Sequence, residues 1–146
     1  MPLNESSIEY RILREVAPAA VERLYRAAGW WEENYTPDFI APMLAGSFRF
    51  VGAFDAAGEM IGMGRAVSDG CSDAYIQDIV VAPAWRHAGI GGRIVTELLK
   101  ELHAADIDWI GLIAAPGTEN FYSGLGFERM REYIPMIYNR NKAGES

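Results

Sequence analysis

"IQDIVVAPAWRHAGIGGRIVTELL" (residues 76–99) passes from one kind of chain order to another, and its reading decides the fold. It begins inside "AYIQDIVVAP", where Ile76, Ile79, Val80 and Val81 make a strong strand. It ends in an amphipathic helix expected over residues 89–104. Ile90, Ile94, Val95, Leu98, Leu99 and Leu102 share one face, and Arg93, Glu97, Lys100 and Glu101 point away. Between the two lie Ala88, Gly89, Gly91 and Gly92. Glycine costs a helix about 1 kcal/mol relative to alanine, so a helix that opens on glycines gives something up. A helix start presents unpaired N–H groups and the positive end of the dipole, which suit an anion. Residues without bulk let that anion reach the backbone. Arg86, His87 and Arg93 add local positive charge. The loop therefore suits a diphosphate, although a turn that merely packs closely has the same glycine content.

The rest of the chain supplies a mixed α/β pattern. Residues 8–13 ("IEYRIL") alternate as a strand. "PAAVERLYRAAG" reads as a helix opened by Pro18, with Val21, Leu24, Tyr25 and Ala28 at helical spacing and Gly29 as its stop. Thr36 and Pro37 start a second short helix. "SFRFVGAF" and "MIGMGRAV" flank the turn "DAAGE" as a hairpin, and "DGCSD" turns the chain into the strand before the glycines. "WIGLIAA" is a short buried strand, "PGTENFYSGLG" a short helix, and "FERMREYIPMIY" one or two closing strands. The expected order is β-α-α-β-β-β-α-β-α-β in one domain spanning 1–146, with a frayed tail from about residue 140.

Composition narrows the function. Half of the 146 residues are hydrophobic, enough for a sizeable core, and the net charge is -7. An acidic chain is a poor partner for nucleic acid and a better one for a cation. The single cysteine, Cys71, allows no internal disulfide, so a reducing, cytoplasmic setting is expected. No apolar run approaches the roughly 20 residues that span a bilayer, so no membrane partner is expected. No Cys/His/carboxylate cluster has metal-ligand spacing, so no metal is expected. Cys71 reads as a loop residue and His103 as a cation suited to the end of its helix.

Two familiar phosphate loops are excluded. A P-loop needs Gly-Lys-Ser/Thr, whereas Gly91-Gly92 is followed by Arg93-Ile94; a dinucleotide fingerprint counted from Gly89-Ile90-Gly91 needs a small residue where Ile94 stands. Arg86-x-x-Gly89-x-Gly91 after a strand resembles instead the acyl-CoA signature of the GNAT family of N-acetyltransferases. "ENFYSGLGF" (Glu119 to Phe127) resembles that family's later block, a tyrosine followed by Gly-Phe. His87 departs from it, because many members carry glycine there.

The resemblance implies a mostly antiparallel sheet, splayed at its fourth strand and flanked by helices. It implies that the N–H groups of Arg86, His87, Ala88, Gly89, Ile90 and Gly91, with Gly92 just inside the helix, hold the pyrophosphate of acetyl-CoA. The backbone of Ile79, Val80 and Val81 would pair with the pantetheine arm like an added strand, and Asn120 would touch the cofactor. Tyr122 would give a proton or hydrogen bond to the departing thiolate. An N–H near Ile79 would stabilise the oxyanion.

The base is open among several groups. Asp78 and Tyr75 lie beside the splay, but strand alternation sets them on opposite faces unless a bulge intervenes. Glu32 and Glu33 are further carboxylates, and a water chain is another route. Of these, Asp78 is the first choice for base or substrate contact. "GWWEENY" (Gly29 to Tyr35) occupies the position of the family's acceptor wall. There Trp30, Trp31, Glu33 and Tyr35, together with Tyr75, suit an ammonium on an apolar body. The expected activity is direct acetyl transfer from acetyl-CoA to a small cationic primary amine. A protein or peptide N-acetyltransferase and a non-catalytic acyl-CoA-binding module are the alternatives. A homodimer is compatible with the family's habits.

Overall fold

The structure is a computed structural model that describes residues 7–143. The chain divides into two compact units, Met1–Leu112 and Ile113–Ser146. In the first unit the chain forms β1 (Glu9–Ile12), α1 (Pro18–Ala27), a 3-10 turn and α2 (Ile40–Gly46). The hairpin β2 (Arg49–Phe54) and β3 (Met60–Ser68) follows, then β4 (Asp73–Val81), α3 (Ile90–Ala104) and β5 (Trp109–Gly111). The strands lie in the order β1-β2-β3-β4-β5. The first three pairings are antiparallel and the β4–β5 pairing is parallel.

The turns follow from their residues. Asp55 Oδ1 accepts the N–H groups of Ala57 and Glu59, with Gly58 at φ 83°. Asp69 accepts those of Cys71 and Ser72 in the next turn. These hydrogen bonds, with the Ser72 hydroxyl first among them, hold the Asp69 carboxyl well below the usual carboxylate range.

The sheet is covered on both faces. Gly62 and Gly64 of β3 lie against Ile90 and Ile94 of α3, so the helix comes close where side chains are missing. Ile90, Ile94, Val95, Leu98 and Leu102 are buried on that helix. Each contributes roughly 1.5–3 kcal/mol by leaving water. Met63 and Val80 point to the other face, into a cluster with Val21, Leu24 and Tyr25 of α1 and Ile40 and Leu44 of α2.

Two features of the first unit position the site. The β4–β5 ladder holds only from Asp73↔Trp109 to Tyr75↔Gly111, while β4 runs on to Val81. The expected splay is this lapse: beyond Tyr75, no strand among the described residues accompanies that edge of β4. Register also shifts between β3 and β4. Met63 faces Val80 while Arg65 faces Gln77, so Gly64 stands opposite both Asp78 and Ile79.

The second unit contains α4 (Glu119–Ser123) and α5 (Arg140–Ala143). Both guanidinium nitrogens of Arg129 that bond there, Nε and Nη2, reach the Glu119 carboxylate and tie α4 to the segment after it. The closing strands expected over "FERMREYIPMIY" are absent among the described residues. Glu132 at φ 65° breaks the extended run, and Pro135 has no N–H for a ladder. Tyr133, Ile134, Met136, Ile137 and Tyr138 are exposed. Part of the expected frayed tail is helical instead, since one turn at Arg140–Ala143 needs only local bonds; residues 144–146 lie outside the described chain.

Candidate active site

The site begins at the end of α1. Gly29 takes φ 78°, its N–H bonds to the Arg26 carbonyl, and the Trp30 N–H returns to the Tyr25 carbonyl. This glycine-terminated cap is what "AAG" encodes. It sets Trp30 edge-on to Tyr25, with ring centroids 5.5 Å apart. The chain then passes through Tyr35 to the 3-10 turn Pro37–Phe39, which brings Phe39 to 6.2 Å from the Tyr25 ring.

These rings wall a cavity of about 380 Å³ lined by Tyr25, Trp30, Tyr35, Phe39 and Asp78. Asp78 comes from β4, where it adopts φ 58°. Its Oδ2 accepts a 2.5 Å bond from the Tyr25 hydroxyl and a 2.7 Å bond from Arg65 Nε. Burial, then the adjoining carboxylate, pushes the Tyr25 phenol well above its ordinary value, so it remains a donor. Arg65 also donates to Gln77 Oε1 at 3.0 Å. The cavity is therefore mostly aromatic, with one carboxylate whose charge is partly answered from behind.

The other end of β4 leads to the glycine loop. Arg86 is extended (φ -69°, ψ 155°), His87 lies at φ 66° and Gly89 at φ 81°, ψ 4°. Positive φ at two of these positions makes the segment a tight turn, the kind of backbone in which anion-binding concavities form. No side chain caps α3 and no acid lies in its first turn. The first loop-to-helix bond there is Arg93 N–H to the Gly89 carbonyl, which leaves the N–H groups of Ile90, Gly91 and Gly92 without a helical acceptor. A side chain at Gly89 would meet nothing within 4 Å, so the approach is open. Positive φ also accounts for glycine at position 87 in many sequences of the kind that this chain resembles; histidine tolerates that region better than most residues. The local charges are partly committed: Arg86 Nε donates to the Val81 carbonyl and Arg93 Nε to Glu97. The backbone fits a pyrophosphate.

The model for the acetyltransferase (GNAT) domain matches residues 16–134. The chain belongs to the GNAT acetyltransferase family. A GNAT-family acetyltransferase structure from Streptococcus pneumoniae TIGR4 superposes with a TM-score of 0.77 at 28% identity, over 91% of this chain and 98% of that one. Histone acetyltransferase TAP1 of Glycine max is 39% identical over 54% of this chain and 34% of its own length. Serotonin N-acetyltransferase 2, chloroplastic, of Oryza sativa subsp. japonica is 33% identical over 51% of this chain and 38% of its own. The chain spans less than half the length of these curated relatives.

Within this GNAT fold, the residues singled out from sequence are dispersed as follows. Trp30, Tyr35 and Asp78 line one cavity. Trp31 does not; its ring packs on Tyr35 and Phe39 and carries the Arg26 guanidinium 5.2 Å above it. Glu32 and Glu33 are exposed outside the lining. The bulge changes the alternation, so Tyr75, Gln77, Asp78 and Val80 share the face toward α1. Tyr75 stacks edge-on against Trp109 at 5.3 Å, away from the cavity. Ile79 turns to the α3 face over Gly64, while Val80 is in the core. Tyr122 and Asn120 lie on α4 in the second unit. Asn120 is exposed. The Tyr122 ring meets Phe121 and Phe127, and burial pushes its phenol above the ordinary value.

Tyr25, Phe39 and Arg65 were not foreseen as site residues. A signal existed for two of them. Tyr25 puts a hydroxyl on the buried face of α1, and Arg65 puts a charge inside the apolar "MIGMGRAV". Both arrangements demand a polar partner, and one carboxylate serves both.

Proposed function

We propose that this GNAT protein is an acetyl-CoA-dependent N-acetyltransferase that transfers the acetyl group directly to a small primary amine carried on an apolar or aromatic body. One observation carries the reading: a single strand, β4, joins a cavity walled by four aromatic rings and Asp78 to a loop whose N–H groups at the start of α3 lack helical acceptors and side-chain caps. Acetyl-CoA supplies the activated thioester. The N–H groups from Arg86 to Gly92 hold its pyrophosphate, and the unaccompanied edge of β4 offers backbone partners at Ile79–Val81 to its pantetheine arm. The rings hold the acceptor's apolar body, and Asp78 draws its ammonium. Attack requires a neutral amine, so the ammonium proton leaves first, through water or a carboxylate. An N–H near Ile79 would stabilise the developing oxyanion, and Tyr122, by its place in the "ENFYSGLGF" block, would protonate the thiolate.

The relative named as a serotonin N-acetyltransferase supports an arylalkylamine class, while the relative named as a histone acetyltransferase keeps protein lysines in view. A thiol-release screen at matched ionic strength separates them. Arylalkylamines and polyamines are expected to exceed acidic amino acids, sugar phosphates and nucleotides, with rates rising as pH approaches the amine's pKa. Turnover confined to peptides or folded proteins, or a best substrate of net negative charge, overturns the acceptor class. Acetyl-CoA binding without turnover on any amine overturns the enzyme reading in favour of a binding module.

A further inference from the structure

The bulge in β4 has an unusual occupant. Two residues of β4 oppose Gly64, and the first of them takes φ 58°. Glycine ordinarily fills that place in a bulge of this kind, because it enters the left-handed region freely. Here an aspartate does. On the α3 face the bulge is packed shut: a side chain on Gly64 would come within 2.4 Å of Ile79 Cδ1 and 2.8 Å of Ile94 Cγ2. On the α1 face Asp78 enters the aromatic cavity. Its carboxylate is gripped there by the Tyr25 hydroxyl from α1 and the Arg65 guanidinium from β3. The side chains of Arg65 and Asp78 are 17% and 22% exposed, so solvent screens this pair less than a surface one.

We propose that Tyr25 and Arg65 are positioning residues that hold the Asp78 carboxylate and thereby lock the left-handed bulge at Asp78–Ile79, where the backbone of β4 turns toward the reacting groups. The same Oδ2 that would accept a proton from the substrate is already taken by two donors, one of them cationic. This makes Asp78 a tether between α1 and β3. Beyond drawing the ammonium, its role in the reaction is to fix the direction of the neighbouring N–H groups. Only the kinetic consequence rests on the acetyltransferase reading; the lock itself belongs to the backbone.

Two measurements decide it. The first needs no activity. A residue at positive φ gives a strong intraresidue HN–Hα NOE, and Asp78 should show one in the wild-type protein. Tyr25→Phe and Arg65→Gln should weaken that NOE and shift the amide resonances of Asp78 and Ile79, while resonances of β1 and β2 stay in place. Arg65→Lys, which keeps the charge, should restore part of the signal. An unaltered Asp78 NOE in both Tyr25→Phe and Arg65→Gln overturns the lock. Should Tyr25→Phe fail to fold, Arg65→Gln decides alone, since that side chain stands at the edge of the core. The second measurement is kinetic. Asp78→Gly relaxes the backbone into the bulge without a carboxylate, whereas Asp78→Ala has neither. A positioning role predicts that kcat of Asp78→Gly exceeds that of Asp78→Ala by roughly tenfold, the cost of a left-handed alanine. Equal kcat values, with loss of the acidic limb of the pH profile in both, make Asp78 the base and overturn the proposal. If the wild-type protein turns over no amine, the functional reading fails, and the NOE still decides the lock.

Discussion

Tyr122 concentrates the residue-scale question, because one hydroxyl is asked to change the rate. Its ring meets Phe121 and Phe127 edge-on, with centroids at 4.9 and 5.8 Å. Burial raises the phenol's pKa from its ordinary value near 10. The neutral, proton-bearing form is therefore the one present through the working range, and no alkaline loss of activity from Tyr122 is expected below pH ~10. As general acid toward the thiolate, its removal in Tyr122→Phe should lower kcat by roughly 10²–10⁴-fold with little change in acetyl-CoA affinity. Single-turnover kinetics, which exclude product release, are the check. A near-normal rate of the chemical step would leave Tyr122 only a packing role.

Elements carry the information that residues alone do not. The start of α3 combines glycines, positive φ at His87 and Gly89, and uncapped N–H groups, so a charge placed there has two opposed consequences. Gly91→Glu puts a carboxylate in the first turn, where it suits the dipole and replaces a poor helix former. Thermal stability should hold or rise. The same carboxylate repels a diphosphate, by about 100-fold or more in affinity at contact distance. Calorimetric titration with acetyl-CoA beside a melting curve tests both halves, and unchanged affinity in a folded variant removes the loop from the site. This element was legible in the sequence because its cause is local: apolar period, glycine placement and the strand before it. The hairpin and α1 were legible for the same reason, down to Gly29 as the stop. The bulge was not. Nothing in "IQDIV" distinguishes a left-handed Asp78 from an extended one, since the grip comes from Tyr25 and Arg65, which lie 53 and 13 positions away. Nor was the fate of "FERMREYIPMIY", where apolar content suggested strands but Glu132 and Pro135 interrupt the run. The cavity wall was half legible: Trp30 and Trp31 are neighbours in sequence, yet only Trp30 meets the cavity.

At the scale of the whole molecule, a net charge of -7 acts on two proposed substrates of opposite sign. A cationic amine is drawn to an acidic chain from beyond contact distance, and polyanionic acetyl-CoA is repelled until it reaches the N–H groups of the loop. Local cations offset this only in part: Arg93 is paired with Glu97, whereas Arg86, bonded to the neutral Val81 carbonyl, keeps its charge. Salt shortens the range of both effects, the screening length falling from about 30 Å at ~0.01 M to about 8 Å at ~0.15 M. The two substrates should therefore respond in opposite directions. Between those ionic strengths kcat/KM for the amine should fall several-fold, more steeply for a polyamine than for a monoamine, while kcat/KM for acetyl-CoA should rise. Because screening acts on encounter, kcat at saturation should stay nearly constant. Initial rates with each substrate varied in turn, in a salt inert toward CoA, give the two slopes. A falling slope for acetyl-CoA would mean that positive charge near the loop outweighs the field of the whole chain. A rising slope for the amine would mean that the acceptor reaches its cavity without help from that field, and the case for a cation would then rest on the aromatic rings and Asp78 alone.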